Sequence, residues 1–181
     1  IFNQRSIEEI LEVILTIGRI VAAEDKAQKL VDGYKKQLDK CRENSDKIKN
    51  KPKIYFEEWD DPTFSGIRWV SELIEIAGGE DIFANKSHGK LAMEREIQWS
   101  DVIEKNPDVI LASWCGKPVD IDSIKKREGW NQITAIKNNR IHEIDSSIIL
   151  QPGPACLTDG LKVLEQLITC LLYTSPSPRD L

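Results

Sequence analysis

The sequence predicts an α/β protein in which a helical segment precedes a three-layer lobe built on a mainly parallel sheet. Three observations predict this class. Before residue 50 the apolar residues recur at helical spacing, and at Pro52 the pattern changes to the short continuous apolar run of "KIYFEE". Beyond it, strand-like and helix-like segments alternate, as in sheets of parallel strands connected by helices. The segment "DVILAS" is apolar on both faces, which is typical of a buried parallel strand.

Two amphipathic helices are predicted in residues 1–50. The first begins at a capping box made by Ser6 and Glu9. The second begins near Glu24, runs to about Lys49 and has its apolar residues on one face with lysines opposite. The apolar face of the first helix carries Ile7, Ile10, Leu11, Ile14 and Ile17.

The lobe is predicted over residues 51–169. It begins with a strand over Lys53–Glu58 and continues with a helix over about Ile67–Ala77, which two glycines end in the C-cap position. A short strand is predicted at Ile82 and Phe83.

The second half of the lobe continues the alternation. Ser100 or Asp101 is predicted to cap a helix that ends before Pro107, and the strand in "DVILAS" follows. The segment "DIDSIKKR" predicts a short helix and "RIHEI" another strand. A final helix is predicted over "PACLTDGLKVLEQLIT", with Pro154 near its first turn.

Composition excludes some classes of function. The formal net charge is -5 and no clustered basic face is visible, so a nucleic acid is not the expected partner. No apolar run approaches the roughly 20 residues that span a bilayer. Cys41, Cys115 and Cys156 form no CxxC pair and no even framework, so they predict neither a zinc site nor a disulfide.

Both ends of the chain look incomplete or foreign. The chain starts at Ile1 with its only methionine at Met93, and we expect the true start, with any signal peptide, to be missing. The last residues, "CLLYTSPSPRDL" at 170–181, resemble the translation of a sequencing adapter. We expect this tail to take no part in the fold.

The carboxyl ends of the predicted strands carry distinctive residues. In open α/β sheets, ligands bind at that edge. "EEWDDPTFSG" follows the first strand, "WCGKP" follows "DVILAS", and "DSSIILQPGP" follows "RIHEI". We expect Trp59, Phe64 and Trp114 to converge there, joined by Ser147 and Gln151. Aromatic rings with a few polar groups suit a flat, largely apolar ligand with a polar rim.

Three segments carry a family resemblance: "EEWDDPTFSGIRWVSELIEIAGGEDIF", "NPDVILASWCGKP" and "EIDSSIILQPGPACLTDGL". They resemble the C-terminal lobe of cobalamin-binding proteins of the iron-complex and cobalamin ABC-transporter substrate-binding superfamily, the class III periplasmic binding proteins. The likeness extends from the helices before residue 50 to about Thr169. It implies a protein of two lobes, of which the N-terminal one is missing here, with the corrinoid in the cleft between them.

The resemblance also implies roles for individual parts. The helix from Glu24 matches the long helix that connects the lobes. Phe64 corresponds to an aromatic wall against the corrin, and Trp59 and Trp114 belong to the family's own motifs. Polar contacts are implied for the loop that carries Ser147 and Gln151. The remaining residues expected to line the cleft are Asp60 and Cys115.

Partners follow from the same resemblance. It implies ABC-transporter permease subunits and a periplasmic or extracytoplasmic location, with the membrane reached only through the permease or a lost lipid anchor. Related binders dock through a glutamate at the position of Ser100, so either Asp101 substitutes for it or docking differs. The corrinoid is a transported ligand, and no cofactor is implied.

Each of these interpretations has a structural alternative. Trp69 and Trp130 are expected to pack in the core, and Trp59 and Trp114 could be indoles packed at a rim. The "EEWDD" stretch could be a solvated acidic turn. His88 and His142 have no second ligand at metal spacing, so no metal site is predicted.

Several functions therefore stay open. A ferric siderophore or haem is a ligand of the same class that the motifs favour less than a corrinoid. A small α/β enzyme using the acidic turn is the alternative from another class. We expect no catalysis, because no base accompanies the carboxylates and no histidine is placed to activate Cys115. Nucleotide binding is disfavoured, since no glycine-rich phosphate loop follows any strand.

Overall fold

The structure is a computed structural model, and it describes residues 2–174. Its first two helices, α1 (Ile7–Ile20) and α2 (Glu24–Ser45), form a hairpin. The predicted capping box is confirmed: Ser6 Oγ accepts from the Glu9 backbone N–H at 3.2 Å, and Glu9 accepts from the Ser6 N–H at 3.3 Å. Near the turn, a β-carbon at Gly18 would overlap that of Ala27, so the close approach of the two helices needs glycine there.

The lobe follows with the predicted alternation of strands and helices. Its first half comprises β1 (Lys53–Asp60), β2 (Thr63–Ser65), α3 (Arg68–Ile76), β3 (Glu80–Asp81) and α4 (Trp99–Lys105). Its second half comprises β4 (Val109–Ala112), α5 (Ile121–Lys125), α6 (Thr134–Lys137), β5 (Ile141–Glu143), α7 (Ser146–Ile149) and α8 (Leu161–Thr174). A π-helical turn over Cys156–Gly160 leads into α8, and 3₁₀ turns lie at Ala92–Arg95 and Trp130–Gln132.

The sheet is mainly parallel, as predicted. Its strand order is β2-β1-β4-β5, and β3 pairs with the start of β1 on the side where β2 pairs with its end. The pairs β1–β3, β1–β4 and β4–β5 are parallel, and only the short β2 runs antiparallel to β1.

Two apolar clusters cover the two faces of the sheet. Ile54 and Phe56 of β1 belong to the cluster formed with α1, α2, α3 and α8. Tyr55, between them, belongs to the cluster that contains Ile110 and Trp130. Successive strand residues point to opposite faces, so the sheet lies between two packed layers. The three-layer prediction is confirmed.

The structure corrects four local predictions. The cap of α4 is Gln98, and neither Ser100 nor Asp101 takes that position; the Asp101 carboxylate accepts from the Gln98 N–H at 3.3 Å, because it lies one turn inside the helix. The short strand is Glu80–Asp81, since Asp81 accepts from the Phe83 N–H at 3.0 Å and turns the chain there.

The third correction concerns the acidic stretch. The first strand continues to Asp60, two residues beyond its predicted end, and forms a hairpin with β2. Thr63 Oγ donates to the Asp60 carbonyl at 2.6 Å and holds the turn. The first four residues of "EEWDD" therefore belong to β1, where Glu57 is buried and the next three are half-buried, and Asp61 lies exposed in the turn. The predicted second helix is also shorter than expected and ends at Ser45.

The ends of the chain complete the description. α8 extends to Thr174, and Leu171 is buried in the core cluster, so the expectation that the tail takes no part in the fold is wrong for residues 170–174. The interpretation of 170–181 as a foreign tail stays a prediction, and residues 175–181 lie outside the described part. Within residues 2–174, no helix combines the length and apolar character needed to cross a bilayer.

Candidate functional site

The candidate site lies where β1, β4 and β5 reach their carboxyl ends. Ala112 pairs with Glu57 on one side and with Glu143 on the other, so β4 and β5 end in step, while β1 continues to Asp60. The loops after them bring together residues that are far apart in the sequence. This is the edge at which open α/β sheets bind ligands.

Trp59 and Trp114 meet at this edge through Lys117. The Lys117 Nζ atom lies 4.5 Å from the centre of the Trp59 ring and 4.8 Å from that of Trp114. The same ammonium donates to both carboxylate oxygens of Asp60, at 2.8 and 2.9 Å. The structure therefore brings the two tryptophans together as predicted and adds a cation between them that the prediction lacked.

The two indoles differ in their burial and in their hydrogen-bond partners. Trp114 is only 4% exposed, and its Nε1–H donates to Glu57 Oε1 at 3.1 Å. Trp59 is half-buried and donates to the Asp61 carbonyl at 3.1 Å. Phe64 is also half-buried and stands opposite Trp59 in the β1–β2 pairing, so their side chains share a face of the hairpin.

Beneath the indoles, Glu57 is the centre of a buried polar network. It is fully buried, and its carboxylate accepts from Arg127 at 2.5 and 2.9 Å and from the Tyr55 hydroxyl at 2.9 Å. Burial and the neighbouring Glu57 charge raise the pKa of Tyr55 well above its usual value. Burial opposes the charge on Arg127, yet its hydrogen bonds to Glu57 raise its pKa overall. Glu57 thus joins Arg127, Tyr55 and the Trp114 indole in one buried network.

Three of the four carboxylates in the acidic stretch are paired with cations from elsewhere in the chain. Arg95 holds Glu58 with two bonds, at 2.5 and 2.9 Å, as Arg127 holds Glu57 and Lys117 holds Asp60. Burial would raise the pKa of Asp60, but the Lys117 ammonium brings it below its usual value. Sequence reasoning missed these pairs because their partners lie 37 to 70 positions away.

A cavity of about 510 Å³ opens beside Trp114 and Lys117, within the range of small-molecule sites. Two carboxylates, Glu143 and Asp145, also line it. Glu143 accepts from the Val119 N–H at 3.0 Å. The other lining residues are Gly116, Pro118, Ile144 and Ser146.

The remaining predicted ligand residues do not line this cavity. Ser147 is exposed in α7, and its N–H donates to Asp145 at 2.8 Å, while its neighbour Ser146 is the serine that lines the cavity. Gln151 is exposed in the turn after α7, and Cys115 is exposed beside Trp114. Their roles, like those of the tryptophans, stay predictions.

The expected core residues are confirmed. Trp69 is 5% exposed and donates to the Ile149 carbonyl at 2.9 Å, and Trp130 is fully buried.

His142 is half-buried, and burial lowers its pKa, while His88 is exposed. Among residues 2–174, no three His, Cys, Asp or Glu side chains are grouped so that they could hold a metal ion.

The predicted docking residues lie on α4. Ser100 is exposed and Asp101 half-buried in the first turn of that helix.

A wider cavity, of about 880 Å³, lies between α1, α2 and α3, and Glu72 and Glu75 are among the charged residues on its walls. It includes no residue of the strand ends, so we place the candidate site at the smaller cavity.

Comparison with known proteins finds a matching family model and several relatives. The family model described as "periplasmic binding protein" matches residues 1–148. An uncharacterised ABC transporter substrate-binding lipoprotein of Bacillus subtilis is 27% identical over 171 residues, covering 92% of this chain and 52% of the relative. A vitamin B12-binding protein of Vibrio parahaemolyticus is 24% identical over 162 residues, covering 88% of this chain and 56% of the relative. The chain thus spans about half the length of these relatives.

Solved structures show the same fold. A possible iron-binding, periplasmic solute-binding protein of Staphylococcus epidermidis is 27% identical with a TM-score of 0.77, covering 92% of this chain and 64% of that one. A periplasmic vitamin B12-binding protein of Vibrio cholerae is 17% identical with a TM-score of 0.70, covering 96% of this chain and 65% of that one. At 17% identity the likeness concerns the fold alone.

Proposed function

The chain belongs to the periplasmic binding protein family, and from that premise we propose that it is part of the substrate-binding component of an ABC importer. The names of its relatives, an ABC transporter substrate-binding lipoprotein and vitamin B12-binding proteins, support the proposal. We place the protein outside the cytoplasm for the same reason.

The proposed ligand is cobalamin or a related corrinoid, bound against the carboxyl edge of the sheet. One observation carries this proposal: Trp59 and Trp114 lie together around Lys117 at that edge, beside the cavity. Indoles provide a large contact area for a flat ring system. Phe64 extends the aromatic surface, and Ser147, Gln151, Asp60 and Cys115 are the remaining proposed ligand contacts.

One wall does not enclose a ligand. Small-molecule sites usually bury 70 to 90% or more of a drug-sized ligand, so we propose that a second lobe supplies the facing wall. In this arrangement α2 connects the lobes. The permease would dock on α4, where Asp101 and Ser100 are the proposed contacts.

We further propose that the site binds its ligand without transforming it. Glu57, Glu58 and Asp60 are each paired with a cation, which supports a structural role for the acidic stretch. A small α/β enzyme is therefore the less favoured function. A ferric siderophore or haem is the second candidate ligand, favoured by the possible iron-binding relative at 27% identity.

Titration of cyanocobalamin, followed by tryptophan quenching, tests the proposal. We expect tight binding by a longer form that carries a second lobe and much weaker binding by this chain alone. Trp59→Ala in the longer form should weaken binding by roughly 1 to 3 kcal/mol, the usual loss for a truncated aromatic anchor. The visible absorption spectrum of the purified protein distinguishes corrinoid, haem and iron-siderophore cargo.

Three results would contradict parts of this proposal. If the longer form does not bind cobalamin, the corrinoid assignment is wrong. If both forms bind equally tightly, the ligand does not lie in a shared cleft. Unchanged affinity of the Trp59→Ala variant would mean that this indole only packs.

A further inference from the structure

Lys117 occupies the position in which a ligand of the proposed kind would stack. Its ammonium lies over both indoles, at 4.5 Å from the Trp59 ring centre and 4.8 Å from that of Trp114, and is bonded to Asp60. Aromatic faces around an ammonium are the arrangement with which proteins bind organic cations. This edge of the sheet therefore already holds a cation, and that cation belongs to the chain itself.

The charges around the cavity also favour a bound cation. Glu143 and Asp145 line it, and Asp60 lies against the ammonium. Among the described lining residues, Lys117 carries the one positive charge. If the Lys117 side chain swings away, the indoles face a surface with an excess of carboxylates. Such a surface attracts positive charge and repels negative charge.

The Lys117 side chain can also move away from the two rings. Its side chain is 40% exposed and that of Asp60 is 28% exposed, so the ammonium can reach water. Lysine has a flexible stem, and a half-exposed ion pair or cation–π contact holds it only weakly. The arrangement can therefore open when a better partner for the rings arrives.

We propose that Lys117 is a specificity-determining residue: a tethered cation that covers Trp59 and Trp114 until a flat ligand with a positively charged face displaces it. The inference rests on the proposed function, because it places the ligand on these rings. A flat ligand with an anionic face gains nothing from the vacated site.

The test uses small probes, so that it does not depend on which ligand is transported. N-methylquinolinium, a flat cation, and naphthalene-2-sulfonate, a flat anion, are titrated into this chain while the indole N–H signals are followed by NMR. Lys117→Met keeps a chain of similar length and removes the charge. We expect it to bind the cation about tenfold more tightly than the unsubstituted chain, because an internal competitor is lost. The affinity for the anion should fall or stay unchanged.

Two variants serve as controls. Lys105 makes the comparable contact with Phe83, at 5.5 Å, so Lys105→Met removes a cation from an aromatic ring elsewhere and should change neither affinity. Trp59→Ala, added to Lys117→Met, should abolish the gain.

The proposal is wrong if Lys117→Met binds the cation no better than the unsubstituted chain. It is also wrong if the unsubstituted chain prefers the anion and loses that preference in Lys117→Met, since Lys117 would then be an anion-binding residue. Either result leaves the corrinoid titration unaffected, so failure here is distinguishable from failure of the proposed function.

Discussion

At the scale of single residues, Glu57 is the group on which the polar contacts under the site converge. It is buried with Arg127, and two bonds join their side chains. Arg127 also lies over the rings of Trp99 and Trp130, at 5.0 and 4.5 Å. Arg127→Met leaves the Glu57 charge buried and unpaired, so we expect a loss of about 3 to 5 kcal/mol in the free energy of unfolding, measured with urea.

The surface pair of Arg42 and Asp39 provides the matched control for this prediction. Its side chains are 52% and 64% exposed, and Arg42→Met should change stability by no more than about 1 kcal/mol. Replacing Glu57 and Arg127 together by methionine should cost less than Arg127→Met alone, because no unpaired charge remains. Equal costs for the buried and surface variants would mean that the Glu57 charge is not buried in solution.

At the scale of elements, the start of α1 depends on a local signal. Ser6 is buried, and its hydroxyl satisfies the Glu9 N–H that the helix leaves without a partner. Ser6→Ala should therefore lower the free energy of unfolding by about 1 kcal/mol. Ser100→Ala is the control, since Ser100 is exposed inside the first turn of α4 and does not cap it. Thermal unfolding of both variants measures the difference, and an equal effect would contradict a capping role for Ser6.

At the scale of the whole molecule, the helical hairpin leaves apolar surface uncovered near its turn. Ile7, Ile10 and Leu11 are buried by the chain itself, whereas Ile17, Ile20 and Val21 are 46%, 71% and 62% exposed. The predicted apolar face of α1 is thus covered at its start and open at its end. Exposed apolar patches favour association, so we expect this chain to self-associate with rising concentration.

Sedimentation velocity tests this expectation, and Ile17→Lys with Ile20→Lys should shift the chain toward the monomer. A chain that stays monomeric at every concentration would contradict it. If a second lobe covers this surface, the longer form should remain monomeric without the substitutions.

Most of what could be predicted from the sequence was local. The capping box at Ser6, the change of period at Pro52 and the apolar run of β4 each depend on neighbours a few positions away, and the structure confirms them. The convergence of Trp59 and Trp114 was also predictable, because parallel strands bring their carboxyl ends to one edge.

The tertiary structure alone decided which groups meet at that edge. The pairs of Glu57 with Arg127, Glu58 with Arg95, and Asp60 with Lys117 join residues 70, 37 and 57 positions apart, and no local pattern marks a partner at such a distance. Strand β2 was missed because three residues are too few to show a period. An ion pair depends on where folded segments place two side chains. The sequence therefore left a solvated acidic turn open, whereas Glu57, Glu58 and Asp60 are paired with cations in the fold.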